Sequence, residues 1–122
     1  MISLLRIEKE LRKGVLEILL LNIISTDKLY GYEIMKKIHE ESHGFFDLKE
    51  GTLYPVLYRL EDEECIESIW ESAESRRGAR RKYYLITEKG KVVLETYTKA
   101  WDKFSKEVNM ILNGGQRHGK EV

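Results

Sequence analysis

The sequence predicts a mainly α-helical domain of the α+β class, with one small β-hairpin and a long helix at its end. Three observations predict this class. Apolar residues recur at spacings of three and four along most of the chain, which is typical of amphipathic helices. Two short segments between residues 66 and 87 are instead rich in β-branched and aromatic residues. The length of 122 residues, with 42% hydrophobic and 34% charged side chains, suits a single soluble domain.

Two helices are predicted before residue 45. An apolar stripe from Leu4 to Ile23 indicates one helix over the first 25 residues. Residues 25–27, Ser-Thr-Asp, interrupt this pattern, because their side chains compete for backbone hydrogen bonds. A second helix follows from about Tyr30 to Ser42, and Gly44 is its expected end signal. The inward residues of this helix are predicted to be Ile34, Met35 and Ile38.

The third helix is predicted by apolar residues at i, i+3, i+4 and i+7, which form one buried stripe. The helix is expected to start near Thr52, because a proline such as Pro55 is tolerated in a first turn. The stripe consists of Leu53, Val56, Leu57 and Leu60. The opposite side then carries Gly51, Pro55, Tyr58 and Asp62, with Thr52, Tyr54 and Arg59 between the two sides.

A basic hairpin follows the third helix. Residues 66–72 and 82–87 predict its two strands, and Gly78 lies in the polar segment between them. Residues 76–82 read Arg-Arg-Gly-Ala-Arg-Arg-Lys, although the 21 basic and 21 acidic residues of the chain give a net charge of zero. This local cluster, rather than the whole protein, would attract a polyanion. The acidic run Glu61 to Glu64 is expected to leave anion contacts to the N-terminal half of the third helix.

The last helix is predicted over residues 88–113, and its apolar residues form a heptad seam. A helix of this length reaches beyond a small core, so we expect a second copy of the chain to pack on its exposed part. The N-terminal helix is also expected to lie at this dimer interface. Residues 114–122, which include three glycines, are predicted to be a flexible tail. The seam residues are Leu94, Tyr97, Trp101, Phe104, Val108 and Ile111.

The order of these elements is that of a winged helix-turn-helix, in which the third helix enters the DNA major groove and the hairpin, or wing, lies beside it. Cations gathered at the hairpin tip favour this interpretation over an ordinary α+β domain. Three motifs, in residues 29–34 (Leu-Tyr-Gly-Tyr-Glu-Ile), 50–60 and 80–87, resemble the PadR family of bacterial transcriptional regulators. The resemblance covers about residues 11–112.

The resemblance implies a homodimeric DNA-binding repressor, with a winged helix domain in residues 1–87 and a dimerisation helix in residues 88–113. The short chain resembles the subfamily with a single C-terminal helix, which includes regulators of phenolic-acid detoxification and of multidrug efflux. In some efflux regulators a tryptophan at the place of Trp101 stacks on flat aromatic drugs. Trp101 is therefore either the binding residue for a small aromatic effector or a packing residue of the seam.

Two residues depart from the pattern of this family. Glu64 lies where many relatives have a glycine that ends the third helix in a left-handed turn, so a slightly different helix end is expected. Lys49 lies where relatives often have a capping serine, so the sequence defines the first residue of the third helix only to within one turn. Neither departure removes an expected contact residue.

The expected DNA contacts come from the second helix, the third helix and the wing. Hydroxyls and aromatic rings contact phosphates, base edges and thymine methyls, but they lack the bidentate fork by which arginine selects guanine. Wing cations bind phosphates without reading sequence, so an inverted repeat read by a dimer is the expected operator. The predicted contacts are Tyr32, Lys36, Thr52, Tyr54, Tyr58, Arg76, Arg77, Arg80 and Lys82, with Arg81 as a further wing cation.

Other functions find less support in the sequence. Residues 39–43 match the H-E-x-x-H pattern of zinc peptidases, but His39 and His43 are predicted to face water, and a third protein ligand is missing. No phosphate-binding, dinucleotide-binding or nucleophile motif occurs in the sequence, so neither an enzyme nor a cofactor is expected. The alternative to a DNA-binding regulator is a dimeric winged helix adaptor that binds a protein partner.

The sequence also predicts a cytoplasmic location. Cys65 is the single cysteine, so it forms no disulfide within the chain and is expected to be an inert thiol in a reducing compartment. The apolar stretch Val15 to Ile24 is interrupted by Glu17 and Asn22, and it is too short to span a membrane. No cleavage site follows it, so it is interpreted as a buried helix rather than an export signal.

Overall fold

The computed structural model describes residues 3–72 and 80–121, with side chains as far as residue 114. Its strands form one antiparallel sheet in the order β1-β3-β2. The result is the predicted mainly α-helical α+β domain with a winged helix order. In chain order the elements are α1 (Leu4–Lys13), α2 (Leu16–Ile24), β1 (Leu29–Tyr30), α3 (Gly31–Glu41), α4 (Glu50–Asp62), β2 (Ile66–Trp70), β3 (Lys82–Ile86) and α5 (Glu88–Glu121).

The hydrophobic core lies between α2, α3, α4 and the sheet. All four residues of the stripe predicted on the third helix, which is α4, are buried. Ile34 and Ile38 of α3 are buried as predicted, whereas Met35 is only partly buried. Each fully buried aliphatic side chain stabilises the fold by about 1.5–3 kcal/mol. Tyr84, in the central strand, is the largest fully buried side chain of the described residues.

The single N-terminal helix predicted from the sequence is wrong, because the structure has two helices there. Gly14 caps α1, and the backbone N–H of Val15 donates to the carbonyl of Arg12 at 3.1 Å. Glycine has the highest conformational entropy to lose in a helix, so the chain breaks at this residue. The two helices also differ in burial, since α2 contributes five buried residues to the core and α1 contributes none.

The hairpin is confirmed, but it belongs to a three-stranded sheet rather than a two-stranded one. β2 pairs with β3 from Ile66 opposite Ile86 to Trp70 opposite Lys82. β1 adds a two-residue strand on the other edge of β3, with Leu29 opposite Tyr84. Two residues are too few to show the alternation that reveals a strand in a sequence, so β1 was not predicted.

α4 begins earlier than its proline suggests. Lys49 is its N-cap, with no side-chain hydrogen bond, and the helix starts at Glu50. Pro55 therefore lies in the helix interior rather than in the first turn, which corrects the predicted start near Thr52. Proline cannot donate to the carbonyl four residues back, which belongs to Gly51. Both residues are exposed, so water can satisfy that carbonyl.

The end of α4 keeps the left-handed turn that a glycine usually makes. Glu64 has φ +63°, so the expected difference in the helix end does not occur. The N–H of Cys65 donates to the carbonyl of Leu60 at 2.9 Å, and the N–H of Glu64 donates to the carbonyl of Glu61 at 2.9 Å. These two hydrogen bonds satisfy the last carbonyls of the helix, as in a Schellman motif. A glutamate in this conformation is strained by its Cβ atom.

The last helix, α5, extends further than predicted. Thr87 caps its start, since its hydroxyl accepts a hydrogen bond from the N–H of Gly90 at 2.9 Å. Val93 and Leu94 pack on the core. The helix continues to Glu121, so residues 114–121 are helical and the predicted boundary at residue 113 is wrong. Glycine costs only about 1 kcal/mol per residue in a helix, and residues 114–121 contain no proline to end it.

Candidate nucleic-acid interface

Three of the nine residues that the sequence predicts to contact DNA, Thr52, Tyr54 and Tyr58, lie on α4. Tyr58 is 52% exposed, and Thr52 is exposed as well. The ring of Tyr54 lies 6.0 Å from that of Tyr58, but Tyr54 is half-buried. The structure therefore places Thr52 and Tyr58 on an open surface and only part of Tyr54 there.

The side chain of Tyr54 extends from α4 and contacts Gly31, the first residue of α3. Its hydroxyl lies against Gly31, where a Cβ atom would overlap it, so only glycine allows this approach. Burial, followed by the negative charge of Glu50, raises the pKa of Tyr54 above its ordinary value. Tyr54 therefore packs α4 against α3, in addition to the DNA contact predicted for it.

The base of the wing carries three cations that lie on aromatic rings. The guanidinium of Arg81 lies 4.4 Å from the ring centre of Tyr30. Arg80 and Lys82 lie 5.8 Å and 5.9 Å from the ring centre of Trp70. Cation–π contacts of this kind restrict the side chains without themselves neutralising the charge.

These residues line a groove between α4 and the wing, with a volume of about 480 Å³. We call it the aromatic–cationic groove. None of the described residues that line it is acidic, so this lining favours an anion. The lining residues are Tyr30, Gly31, Tyr54, Tyr58, Trp70, Arg80, Arg81, Lys82 and Tyr84.

Two glutamates behind the groove hold its cations in place. Nζ of Lys82 lies 3.7 Å from Oε1 of Glu61, and Oε2 of the same carboxylate accepts a hydrogen bond from the Ser68 hydroxyl. The side chain of Arg80 donates to the backbone carbonyl of Glu71 at 2.8 Å, and the backbone N–H of Arg81 donates to the Glu71 carboxylate at 3.0 Å. Lys82 is therefore partly neutralised, and one residue of the acidic run supports the wing.

The predicted contacts on α3 lie on an adjoining surface. Tyr32 and Lys36 are exposed, and they line a second groove of about 350 Å³ together with Lys49 at the start of α4. The rings of Tyr30 and Tyr32 are stacked with their centres 6.4 Å apart, which connects this groove to the aromatic–cationic groove. The predicted contacts Arg76 and Arg77 lie outside the described residues.

The seam of α5 is largely uncovered. Leu94 packs on the core, but five of the six seam residues are exposed, among them Trp101 at 48% and Ile111 at 80%. The rings of Trp101 and Phe104 lie 6.5 Å apart. α1 exposes a second apolar row. That row consists of Leu4, Leu5, Ile7 and Leu11.

The remaining sequence motifs form no site in the described part of the chain. His39 and His43 are both exposed, and α3 ends at Glu41, so the two histidines do not lie on successive turns of one helix. No cluster of metal-binding side chains occurs among the residues that the structure describes. Cys65 is buried, and this burial raises the pKa of its thiol. In residues 3–72 and 80–121, no helix combines the length and apolar character that a membrane span requires.

Sequence reasoning missed Tyr30 and Trp70 as parts of the interface. Tyr30 meets Arg81 from 51 positions away in the chain, and Trp70 meets Arg80 across the hairpin. Neither pair has a periodic signature, because a cation–π contact depends on where the strands place the two side chains. Trp70 lies in the strand predicted opposite the basic segment, which was the available signal, and Tyr30 had none.

A helix-turn-helix with a wing beside its outer helix, and a cationic groove between the two, defines the protein as a member of the winged helix class. Residues 20–96 match the model of the transcriptional regulator PadR-like family. The chain belongs to this family, whose members are DNA-binding regulators and not enzymes.

Similar proteins cover most of the chain. An uncharacterized protein of Lysinibacillus sphaericus is 33% identical over 108 residues, which span 88% of this chain and 97% of that protein. The crystal structure of a PadR-like transcriptional regulator from Bacillus cereus is 39% identical, with a TM-score of 0.69 over 84% of this chain and 96% of that one. Bacillus subtilis PadR in complex with operator DNA is 28% identical, with a TM-score of 0.60 over 69% of this chain and 46% of that one.

Proposed function

We propose that the protein is a cytoplasmic repressor that binds an inverted-repeat DNA operator as a homodimer. The observation that carries this proposal is the aromatic–cationic groove beside the exposed face of α4, whose described lining includes three cations and no acidic residue. Phosphates of duplex DNA are the anions that a winged helix places between these two elements. The similar Bacillus subtilis PadR is bound to operator DNA, which supports the same ligand here.

The two sides of the groove have different roles in this proposal. Arg80 and Arg81 neutralise phosphates and position α4 on the duplex. Thr52 and Tyr58 contact base edges and thymine methyls from the N-terminal part and the middle of α4, here the recognition helix. Hydroxyls and rings discriminate only modestly between bases. Specificity therefore depends on two half-sites and on the deformability of the DNA between them.

Dimerisation supplies the two half-sites. The exposed seam of α5 and the apolar row on α1 form large apolar surfaces that soluble monomers seldom leave uncovered. A second copy of the chain covers these surfaces in the proposal, and it places two recognition helices about 34 Å apart, one turn of DNA. The spacing between half-sites then matters more than any single base.

A small aromatic effector is the second part of the proposal. Trp101 is half exposed and lies beside Phe104, so a flat aromatic molecule could stack there between two subunits. The alternative is that Trp101 only packs against the partner. Quenching of tryptophan fluorescence by a neutral flat dye distinguishes these two roles. Binding at Trp101 predicts quenching in the Trp70→Phe variant, which retains Trp101, and no quenching in the Trp101→Phe variant.

Salt-dependent binding to duplex DNA tests the proposed function. Fluorescence anisotropy with an inverted-repeat duplex should give a logarithmic affinity that falls linearly with the logarithm of salt concentration. Replacing Arg80 by alanine should reduce that slope by about one unit. Lys103→Ala is the matched control, because Lys103 is an exposed cation on α5, away from the groove. Absence of DNA binding at low salt would favour the protein-binding adaptor instead.

The role of Tyr58 is tested on two kinds of DNA. Tyr58→Ala should cost about 1–3 kcal/mol of binding free energy on the operator and much less on a random duplex. Tyr58→Phe separates the hydroxyl from the ring. Equal losses on both DNAs would mean that Tyr58 positions the helix without reading sequence. Binding that is unaltered when the half-sites are moved apart by about five base pairs, half a helical turn, would contradict the dimeric geometry.

A further inference from the structure

Glu17 lies where α2, α4 and α5 meet, and its two carboxylate oxygens bind different helices. It is the second residue of α2, and its side chain is only 22% exposed. Oε1 accepts a hydrogen bond from Nε–H of Arg59 in α4 at 3.2 Å. Oε2 accepts a hydrogen bond from the hydroxyl of Tyr97 in α5, also at 3.2 Å. One side chain therefore joins the recognition helix to the helix that carries the seam.

Both partners of Glu17 adjoin residues that the proposed function uses. Arg59 directly follows Tyr58 on the recognition helix. Tyr97 is a seam residue, one helical turn before Trp101, so its ring lies on the surface that a partner subunit or an aromatic effector would cover. A change of packing at this part of the seam therefore acts directly on the Tyr97 hydroxyl.

The electrostatics of this contact favour the hydrogen bond. The negative charge of Glu17 raises the pKa of Tyr97, so its hydroxyl stays protonated and remains a donor well above neutral pH. When Tyr97 is withdrawn, Arg59 is the partner that Glu17 keeps among the described residues, and the carboxylate regains rotational freedom. The last two turns of α4, which include Arg59, are then held less firmly against α2.

We propose that Glu17 is a positioning residue through which the C-terminal helix controls the recognition helix. When packing at the seam keeps the Tyr97 hydroxyl on Glu17, Arg59 and the end of α4 are held in place. When packing moves the Tyr97 hydroxyl away from Glu17, Arg59 and the end of α4 become more mobile. This inference rests on the proposed function for those tests that measure DNA affinity. The expected effect is a change of about 2- to 5-fold in affinity, the range that partly exposed ion pairs contribute.

Three variants and a control measure the link through DNA binding. Tyr97→Phe removes only the hydroxyl and leaves the charge unchanged, and it should weaken binding to the inverted-repeat duplex about 2- to 5-fold. Glu17→Ala removes both acceptor oxygens, and it also removes a negative charge, which by itself favours DNA. Glu95→Ala controls for this charge, because Glu95 pairs within α5, with Lys99. In the Glu17→Ala background, Tyr97→Phe should have no further effect.

Amide hydrogen exchange measures the same link without DNA. Exchange at residues 59–63, the end of α4, should be faster in Tyr97→Phe than in the wild type, while exchange at residues 34–38 of α3 should not change. Unchanged exchange at the end of α4, or additive effects of Tyr97→Phe and Glu17→Ala, would overturn the proposal. Faster exchange in a protein that binds no duplex would uphold the link and refute the proposed function instead.

Discussion

Gly90→Ala tests how closely α5 is docked on the end of the wing. Gly90 is buried in the first turn of α5. A Cβ atom there would overlap the carbonyl oxygen of Cys65, and it would lie 2.7 Å from Cγ1 of Ile86 and 2.9 Å from the carbonyl carbon of Cys65. The same oxygen accepts a hydrogen bond from the N–H of Thr87 at 3.0 Å. Because the main overlap is with backbone, a change of rotamer cannot relieve it.

The size of the effect is the balance of three contributions. Alanine is better than glycine by about 1 kcal/mol in a helix interior. Overpacking costs about 1–3 kcal/mol, and weakening the hydrogen bond from Thr87 to Cys65 costs about 1 kcal/mol. The free energy of unfolding of Gly90→Ala should therefore fall by about 1–3 kcal/mol.

Urea denaturation followed by far-UV circular dichroism measures this difference. Protein concentration must be held constant, since the proposed dimerisation would make stability depend on it. Gly51→Ala is the matched control: Gly51 is an exposed glycine in the first turn of α4, where a Cβ atom would meet nothing within 4 Å. This control should be up to about 1 kcal/mol more stable than the wild type. A Gly90→Ala variant as stable as the wild type would refute the close approach of α5 to Cys65.

Three smaller perturbations test the turn after α4, the buried tyrosine and the seam. Glu64→Gly should raise the free energy of unfolding by about 1 kcal/mol, and with it the urea midpoint, because glycine relieves the strain of a positive φ. Glu63→Gly is the control and should lower the urea midpoint, because φ is −83° at Glu63. Burial raises the pKa of Tyr84 to about 12, whereas an unfolded tyrosine titrates near pH 10. Because the unfolded chain loses this proton first, stability should fall between those pH values, and an equally steep fall in Tyr84→Phe would contradict the assignment. Phe104→Asp should give monomers or aggregates in sedimentation at micromolar concentration, and a wild type that sediments as a 14.4 kDa species would refute the dimer.

Periodic patterns predicted most of the elements and a large part of the core. The stripe on α4 has a period that matches a helix, and all of its members are buried. The two strands of the hairpin were predicted from their composition, and the seam from its spacing. Three motifs at separate places in the chain also predicted the family. These features depend on residues close together in sequence, so they can be predicted from the sequence alone.

Contacts between distant residues were decided only by tertiary structure. β1 exists because β3 offers it an edge, and two residues alone carry no strand signal. Glu64 adopts a positive φ because the hydrogen bonds around it, including one from Thr87 to its carbonyl, require that turn. Glu17 joins Arg59 and Tyr97, which are 42 and 80 positions away. Such contacts follow from the packing of whole elements, and a local period has no information about them.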